Sequence, residues 1–287
     1  MNIDGLERVQ SVNRAVLRVI WLVGEIVGGA ATFRGGKLNA GDAQARWLHR
    51  ICRRVLRVFA VHTTTIGSIP TRGLLVANHL SYLDIVLLSA LSPCVFVAKS
   101  EVKCWPVFGW FARAAGTFFV KRSNRRDVVR TNETIRAALR DGALVVLFPE
   151  GTSSNGSTVL SFKPSLLEAA IGERAPISVA VLHYELSDGN AETDVCYWGE
   201  HTLVPHLLKL LTKRRVIARA AFREVPDAWC DRKKLAAQLH QEVLALHSTL
   251  RCSSAAGEVT ERKRVKQNCG SEAVCVSSNQ LLHEVTT

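Results

Sequence analysis

The sequence predicts an α/β protein: a mixed, mostly parallel sheet flanked by helices, preceded by an N-terminal membrane-associating helical pair. Three observations point there. From Thr71 onward short apolar runs alternate with helix-like stretches, the pattern of strands joined by crossover helices. Most of these runs are apolar throughout rather than every second residue, as in strands covered on both faces. Ahead of them, residues 1–61 carry ten Lys/Arg against four Asp/Glu in a region that also holds two apolar helical patterns.

The first of those patterns is centred on Ala15–Ala31, apolar except for Arg18 and Glu25 and weakened by three glycines. A bilayer span needs about 20 mostly apolar residues. The segment therefore reads as an interfacial or re-entrant helix, with a marginal transmembrane helix at 15–31 as the alternative. The second pattern runs from Ala43 to Val61. Trp47, Leu48, Ile51, Cys52, Val55, Leu56 and Phe59 recur at helical spacing, with Arg46, Arg50, Arg53, Arg54 and Arg57 on the other side. An apolar stripe backed by arginines describes a helix lying in a membrane interface. A helix packed on the core with a solvated basic face is the second reading. With no acid among them, the five arginines are expected to need an external anion.

In the α/β region, Gly73–Ala77 reads as a buried strand and Tyr82–Leu91 as the helix after it. Val95–Ala98 and Thr117–Val120 are further strands, and Asp127–Arg140 is a helix that Gly142 ends from a C′ position. Ala143–Phe148 and Ile177–Leu182 are strands with a short helix, Ser165–Gly172, between them. Val195–Trp198, Leu203–Leu211, Val216–Phe222 and Asp231–Leu250 continue the alternation. Beyond about Arg251 the chain turns polar and loses periodicity, so 251–287 reads as a disordered tail.

The 287 residues carry a net charge of +12 on a chain that is 47% hydrophobic, with mean hydropathy +0.10. That content excludes a largely disordered chain and allows an ample core. A basic, apolar protein points to anionic membrane surfaces, with nucleic acid as the competitor. Only 7% of residues are aromatic, which argues against a sheet face that stacks bases. The eight cysteines form no C-x-x-C pair and no zinc-spaced Cys/His cluster, so no metal is expected. Scattered thiols fit a reducing compartment, and the N-terminus lacks the basic region of a cleaved signal peptide. Together these place the protein at the cytoplasmic face of a cell membrane, peripheral or monotopic.

Three polar clusters each follow an apolar strand. Asn78-His79 follows GLLVA, Lys121-Arg122 follows TFFV, and Glu150-Gly151-Thr152 follows ALVVLFP. In an open α/β sheet such strand ends line one crevice. His79 is suited to take a proton near neutral pH, and Asp84, five residues on, could fix its tautomer. No G-x-S-x-G elbow supplies a serine, so the nucleophile would be a substrate hydroxyl. Ser81-x-x-Asp84 equally fits a capping box for the following helix. Lys121 and Arg122, with Arg125 and Arg126, form a basic loop able to bind a phosphate or simply to face water. Gly151 would let the backbone approach a ligand, Thr152 offers a hydroxyl, and Glu150 could orient an arginine.

In order and spacing these clusters resemble the lysophospholipid acyltransferase family, the type that makes phosphatidic acid from 1-acylglycerol-3-phosphate. Its NHxxxxD motif is matched by Asn78, His79 and Asp84, its GxxFxxR motif by Gly116, Phe119 and Arg122, and FPEGT by Phe148–Thr152. The resemblance covers about Ile66 to Tyr184 and implies a membrane anchor over 1–65, an acyltransferase domain over 66–250 and a tail over 251–287. It implies catalysis by His79 and Asp84. Substrate binding falls to Asn78, Gly116, Phe119, Lys121, Arg122, Glu150, Gly151, Thr152 and Lys163. The acyl donor is expected to be acyl-CoA or acyl carrier protein, the acceptor a lysophospholipid at an anionic membrane surface, with no cofactor and no nucleic acid. A backbone N–H of residues 78–80 is the expected oxyanion donor. Ser153-Ser154 stand where the family usually has Arg-Ser, and Ser165 replaces a glycine, so acceptors such as lyso-ornithine lipid stay open.

Overall fold

A computed structural model describes residues 3–33, 40–105, 108–226 and 231–251. Residues 1–246 form one compact unit, and 247–287 a second of which only 247–251, all helical, are described. The expected disordered tail lies outside the described residues.

The sheet comprises β1 (Val61–Ile66), β2 (Gly73–Ala77), β3 (Val95–Lys99), β4 (Phe118–Val120), β5 (Leu144–Leu147), β6 (Ile177–Leu186) and β7 (Val216–Glu224). Their spatial order is β1-β7-β6-β2-β5-β3-β4. The five strands from β6 to β4 are parallel, β7 pairs antiparallel with β6, and β1 runs parallel to β7. The mixed, mostly parallel sheet is thus the one the apolar runs predict. The helices are α1 (Ile3–Thr32), α2 (Ala40–Val58), α3 (Leu83–Leu91), α4 (Phe108–Ala114), α5 (Arg125–Arg140), α6 (Glu168–Glu173), α7 (Ala191–Asp194), α8 (Leu203–Thr212) and α9 (232–251).

Residues alternate across the sheet as strand geometry requires. Leu75, Ala77, Phe96, Val146, Ala180 and Leu182 enter one core together with α2 and α3. Their neighbours Leu74, Val76, Val145, Leu147 and Val179 are buried too, on the other face, where α5 packs against β5. Burial on both faces is why β2 and β5 contain no polar residue. Gly142 has φ +81° and its N–H reaches Leu139 O at 3.1 Å, closing α5 as expected.

Several expectations are corrected. Ala60 takes φ +51°, so α2 stops at Val58 and Val61 opens a strand instead of ending a helix. That strand straddles the boundary expected at 65/66. Its half-exposed threonines hid it, because it is an edge strand with one partner. Val195–Trp198 is not a strand but the segment after α7. The helix expected over Ser165–Gly172 is a 3₁₀ turn, Pro164–Leu166, followed by α6. β6 runs on to Leu186, four residues past its expected end.

The N-terminal pair divides its roles differently from the expectation. The stripe Trp47, Leu48, Ile51, Cys52, Val55, Leu56 and Phe59 on α2 is buried in the main core rather than turned to an interface. The Trp47 indole donates to Gly29 O at 3.2 Å and stacks on Phe111. Two of the five arginines have internal partners: Arg46 pairs with Asp42, and Arg54 with Glu25. α1 carries the outward apolar surface instead, with Leu6, Val9, Val12, Val16, Leu17, Ile20, Trp21, Val23 and Val27 exposed. Its segment Gly5–Thr32 is long and apolar enough to cross a membrane, and little of it is buried. Its charges turn inward: Arg14 donates to Thr212 O and Arg18 to Leu211 O and Lys213 O, at the C-terminal end of α8 where carbonyls lack helical partners. α1 is docked by these arginines together with Ala15, Val19 and Leu22, and its bare apolar face associates with membrane.

Candidate active site

Because β2, β4 and β5 are parallel, the segments leaving their C-terminal ends emerge on one edge of the sheet. β2 delivers Asn78 and His79, β5 delivers Phe148 to Gly151, and β4 delivers Lys121 and Arg122.

His79 Nδ1 lies 2.8 Å from Asp84 Oδ2. An ionised carboxylate only accepts, so Nδ1 carries the proton and Nε2 is left for a substrate. The same Oδ2 accepts the N–H groups of Leu80 and Ser81 at 2.6 and 2.9 Å, and Oδ1 accepts the Tyr184 hydroxyl at 2.8 Å. Asp84 is fully buried. Half of the capping box forms: Asp84 Oδ2 accepts the Ser81 N–H at 2.9 Å, whereas the Ser81 hydroxyl has no partner among the described residues. The His79 ring stacks on Phe148 with centroids 4.1 Å apart, which fixes the imidazole plane.

Glu150 was expected to orient an arginine. Its Oε1 instead accepts His79 N–H at 2.8 Å and its Oε2 accepts Leu160 N–H at 3.0 Å, so it clamps the histidine loop to the segment following FPEGT. Burial pushes its carboxyl up to about 7, against the two N–H groups and His79, which pull it down. The backbone N–H groups of His79 and Leu80, expected as oxyanion donors, are taken by Glu150 and Asp84.

Gly151 has φ +76°, and a Cβ there would strike Arg122 Nη1 and approach Lys163 Nζ to 3.0 Å. The positive φ favours glycine there, and the two cations stand against its backbone next to the dyad loop. One strand, β3, separates β4 from β5, and the Arg122 side chain reaches past it to Gly151. Its Nε is buried without a partner among the described residues. Burial pulls its guanidinium below its ordinary value, the expected result where no carboxylate compensates.

Other expected site residues lie elsewhere. The Asn78 side chain donates to Leu182 O at 3.1 Å and accepts Leu182 N–H at 2.8 Å, continuing the β2–β6 ladder after the strand ends. Gly116 has φ +74° and turns the chain against Gln44 of α2. Phe119 lies under Lys103, 4.9 Å from Nζ to ring centroid. Lys121 is exposed and its N–H bonds Asp127, and Thr152 is exposed beside Gly151. Tyr184, Leu182 and Leu160 are participants that sequence reasoning missed. For Tyr184 a signal existed: strand parity puts it on the face of Ala180 and Leu182.

A histidine base oriented by a buried carboxylate, beside an uncompensated arginine and lysine and with no protein nucleophile in the arrangement, defines a class: acyl transfer to an anionic acceptor that brings its own hydroxyl. Comparison with known proteins agrees. The profile of the Acyltransferase family matches residues 60–182. A lyso-ornithine lipid O-acyltransferase of Pseudomonas aeruginosa is 35% identical over 71% of this chain and 78% of its own length. A Brucella abortus protein of the same name is 37% identical over 70% and 80%. A 1-acyl-sn-glycerol-3-phosphate acyltransferase of Neisseria meningitidis is 35% identical over 55% and 62%. The crystal structure of a 1-acyl-sn-glycerophosphate acyltransferase from Thermotoga maritima shares the fold, with TM-score 0.61 at 20% identity, covering 85% of this chain and 98% of that one. The chain belongs to the lysophospholipid acyltransferase family.

Proposed function

We propose that this acyltransferase moves a fatty acyl group from acyl-CoA or acyl carrier protein to the free hydroxyl of 1-acylglycerol-3-phosphate, giving phosphatidic acid at the cytoplasmic face of a membrane. The observation that carries the acceptor is Arg122: a half-buried guanidinium whose buried Nε has no partner among the described residues, set with Lys163 against Gly151, suits a phosphate. His79 Nε2 removes the hydroxyl proton. The resulting alkoxide attacks the thioester carbonyl, and the tetrahedral intermediate collapses with loss of the thiolate, which takes the proton back from His79. Asp84 stabilises the imidazolium between those steps. No cofactor enters this scheme. α1 holds the crevice at the lipid surface where both lipid and acyl chain reside.

A second acceptor, lyso-ornithine lipid, is favoured by the relatives that match the greater share of their own length and by Ser153 in place of the family's arginine. Its anionic group would use the same two cations. The test is a panel with purified protein and labelled acyl-CoA: 1-acylglycerol-3-phosphate, lyso-ornithine lipid and glycerol-3-phosphate. Preference for the first supports the proposal; exclusive use of the second replaces it.

A further inference from the structure

The catalytic loop is held from β6 at two points. Asn78, just before the histidine, is bonded through both ends of its amide to the backbone of Leu182. Asp84, at the loop's other end, is bonded to the hydroxyl of Tyr184, two residues further along the same strand. One strand thus sets the position of both ends of NHLSYLD.

The two oxygens of Asp84 are not equivalent. Oδ2 collects His79 Nδ1 and the N–H groups of Leu80 and Ser81, whereas Oδ1 accepts the Tyr184 hydroxyl. The three donors on Oδ2 fix the rotation of the carboxylate, because that oxygen lies off the Cβ–Cγ axis, and leave Oδ1 to the Tyr184 hydroxyl. That hydroxyl withdraws charge from a carboxylate buried from solvent, and so tempers its pull on the imidazole proton. Tyr184 is itself buried, and burial followed by the charge of Asp84 pushes its phenol well above the ordinary value, so it stays a donor at every working pH.

We infer that Tyr184 is a positioning residue of the reaction, whose hydroxyl occupies the second oxygen of Asp84 and moderates its basicity and, through it, that of His79. The inference rests on the proposed dyad. The titratable groups facing Asp84 are His79 from the loop after β2, Glu150 from the loop after β5, Cys196 from the segment after α7, and Tyr184 from β6. Cys196, pushed up to about 12 by burial and then by Asp84, stays a neutral thiol, whereas burial pushes the Glu150 carboxyl up to about 7.

The experiment compares wild type and Tyr184→Phe by steady-state kinetics and by NMR titration of the His79 imidazole, assigned with His79→Ala. Loss of the hydroxyl should lower kcat about 10- to 100-fold with KM for donor and acceptor within about twofold, because the substrates touch neither ring nor hydroxyl. The His79 midpoint should rise by about half a unit or more, since a less dispersed carboxylate holds the imidazolium harder. In the Asp84→Asn background the same substitution should have little further effect on kcat. An unchanged midpoint, or an equal loss in both backgrounds, overturns the inference. If the phenylalanine variant does not fold, 3-fluorotyrosine at 184 keeps the shape and strengthens the donor; the midpoint should then fall, and an unmoved one is equally fatal. A wild-type enzyme that acylates no lysolipid would refute the proposed function instead, and the His79 titration would still report on Tyr184.

Discussion

Oδ2 of Asp84 lies 2.8 Å from His79 Nδ1 while also receiving the N–H groups of Leu80 and Ser81, so the residue that orients the base also folds the loop that carries it. Asp84→Asn keeps the shape but presents an amide that suits the wrong tautomer. It should cost about 10³- to 10⁴-fold in kcat, as in hydrolase triads. His79→Ala should cost at least as much, with a modest fall in melting temperature, because the buried Asp84 carboxylate loses one donor and keeps the N–H groups of Leu80 and Ser81 and the Tyr184 hydroxyl. Initial rates with labelled acyl-CoA and 1-acylglycerol-3-phosphate, beside thermal melts, check both.

Arg122→Ala should raise KM for the phosphate-bearing acceptor about 10- to 100-fold and leave KM for the thioester donor nearly unchanged. Arg122→Lys should not restore it, because a point charge cannot reproduce the guanidinium fork. Lys163→Ala, removing the more exposed cation, should show the same pattern with a smaller rise. Equal effects on donor and acceptor would contradict the assigned phosphate contact.

Glu150 makes stability depend on pH with a definite sign. Below its ordinary value of 4.5 the carboxyl is protonated both folded and unfolded. As pH rises from 4.5 to about 7, the unfolded chain gives up the proton first and the native state loses stability across that window. The loss approaches about 3 kcal/mol when both states are ionised. Denaturant unfolding at a series of pH values should show wild type falling more steeply over that interval than Glu150→Gln.

The two N-terminal helices should separate cleanly under substitution. Val16→Glu with Ile20→Glu, on the bare face of α1, should abolish sedimentation with anionic liposomes and leave the melting temperature unchanged. Trp47→Ala on α2 should instead destabilise by about 3–5 kcal/mol, because it empties a core site. Deleting residues 1–61 would remove the α2 stripe from the core and so measures folding rather than membrane attachment.

Much of this molecule was legible along the chain because it is carried by neighbours in sequence. Apolar runs name the buried strands, the step from strand to polar cluster names the crevice edge, and the His79–Asp84 spacing needs one loop and no distant partner. What failed shares a physical cause. α1 and α2 are both amphipathic, and periodicity reports that a helix has an apolar face without reporting what covers it. The structure gives the α2 face to the core and leaves the α1 face bare, because the α1 charges are drawn to Thr212, Leu211, Lys213 and Arg54. β1 escaped notice because an edge strand buries too little to need an apolar run.

The sheet's parallel core, the pairing of His79 with Asp84 and the cations after β4 are carried by residues close together in the chain and were legible there. Only the tertiary structure decided which cation meets which loop. Strand order is set by crossover packing rather than by position in the chain, so Arg122 at the end of β4 reaches Gly151 at the end of β5 past the one intervening strand, β3. Register alone places Leu182 and Tyr184 under the two ends of the catalytic loop.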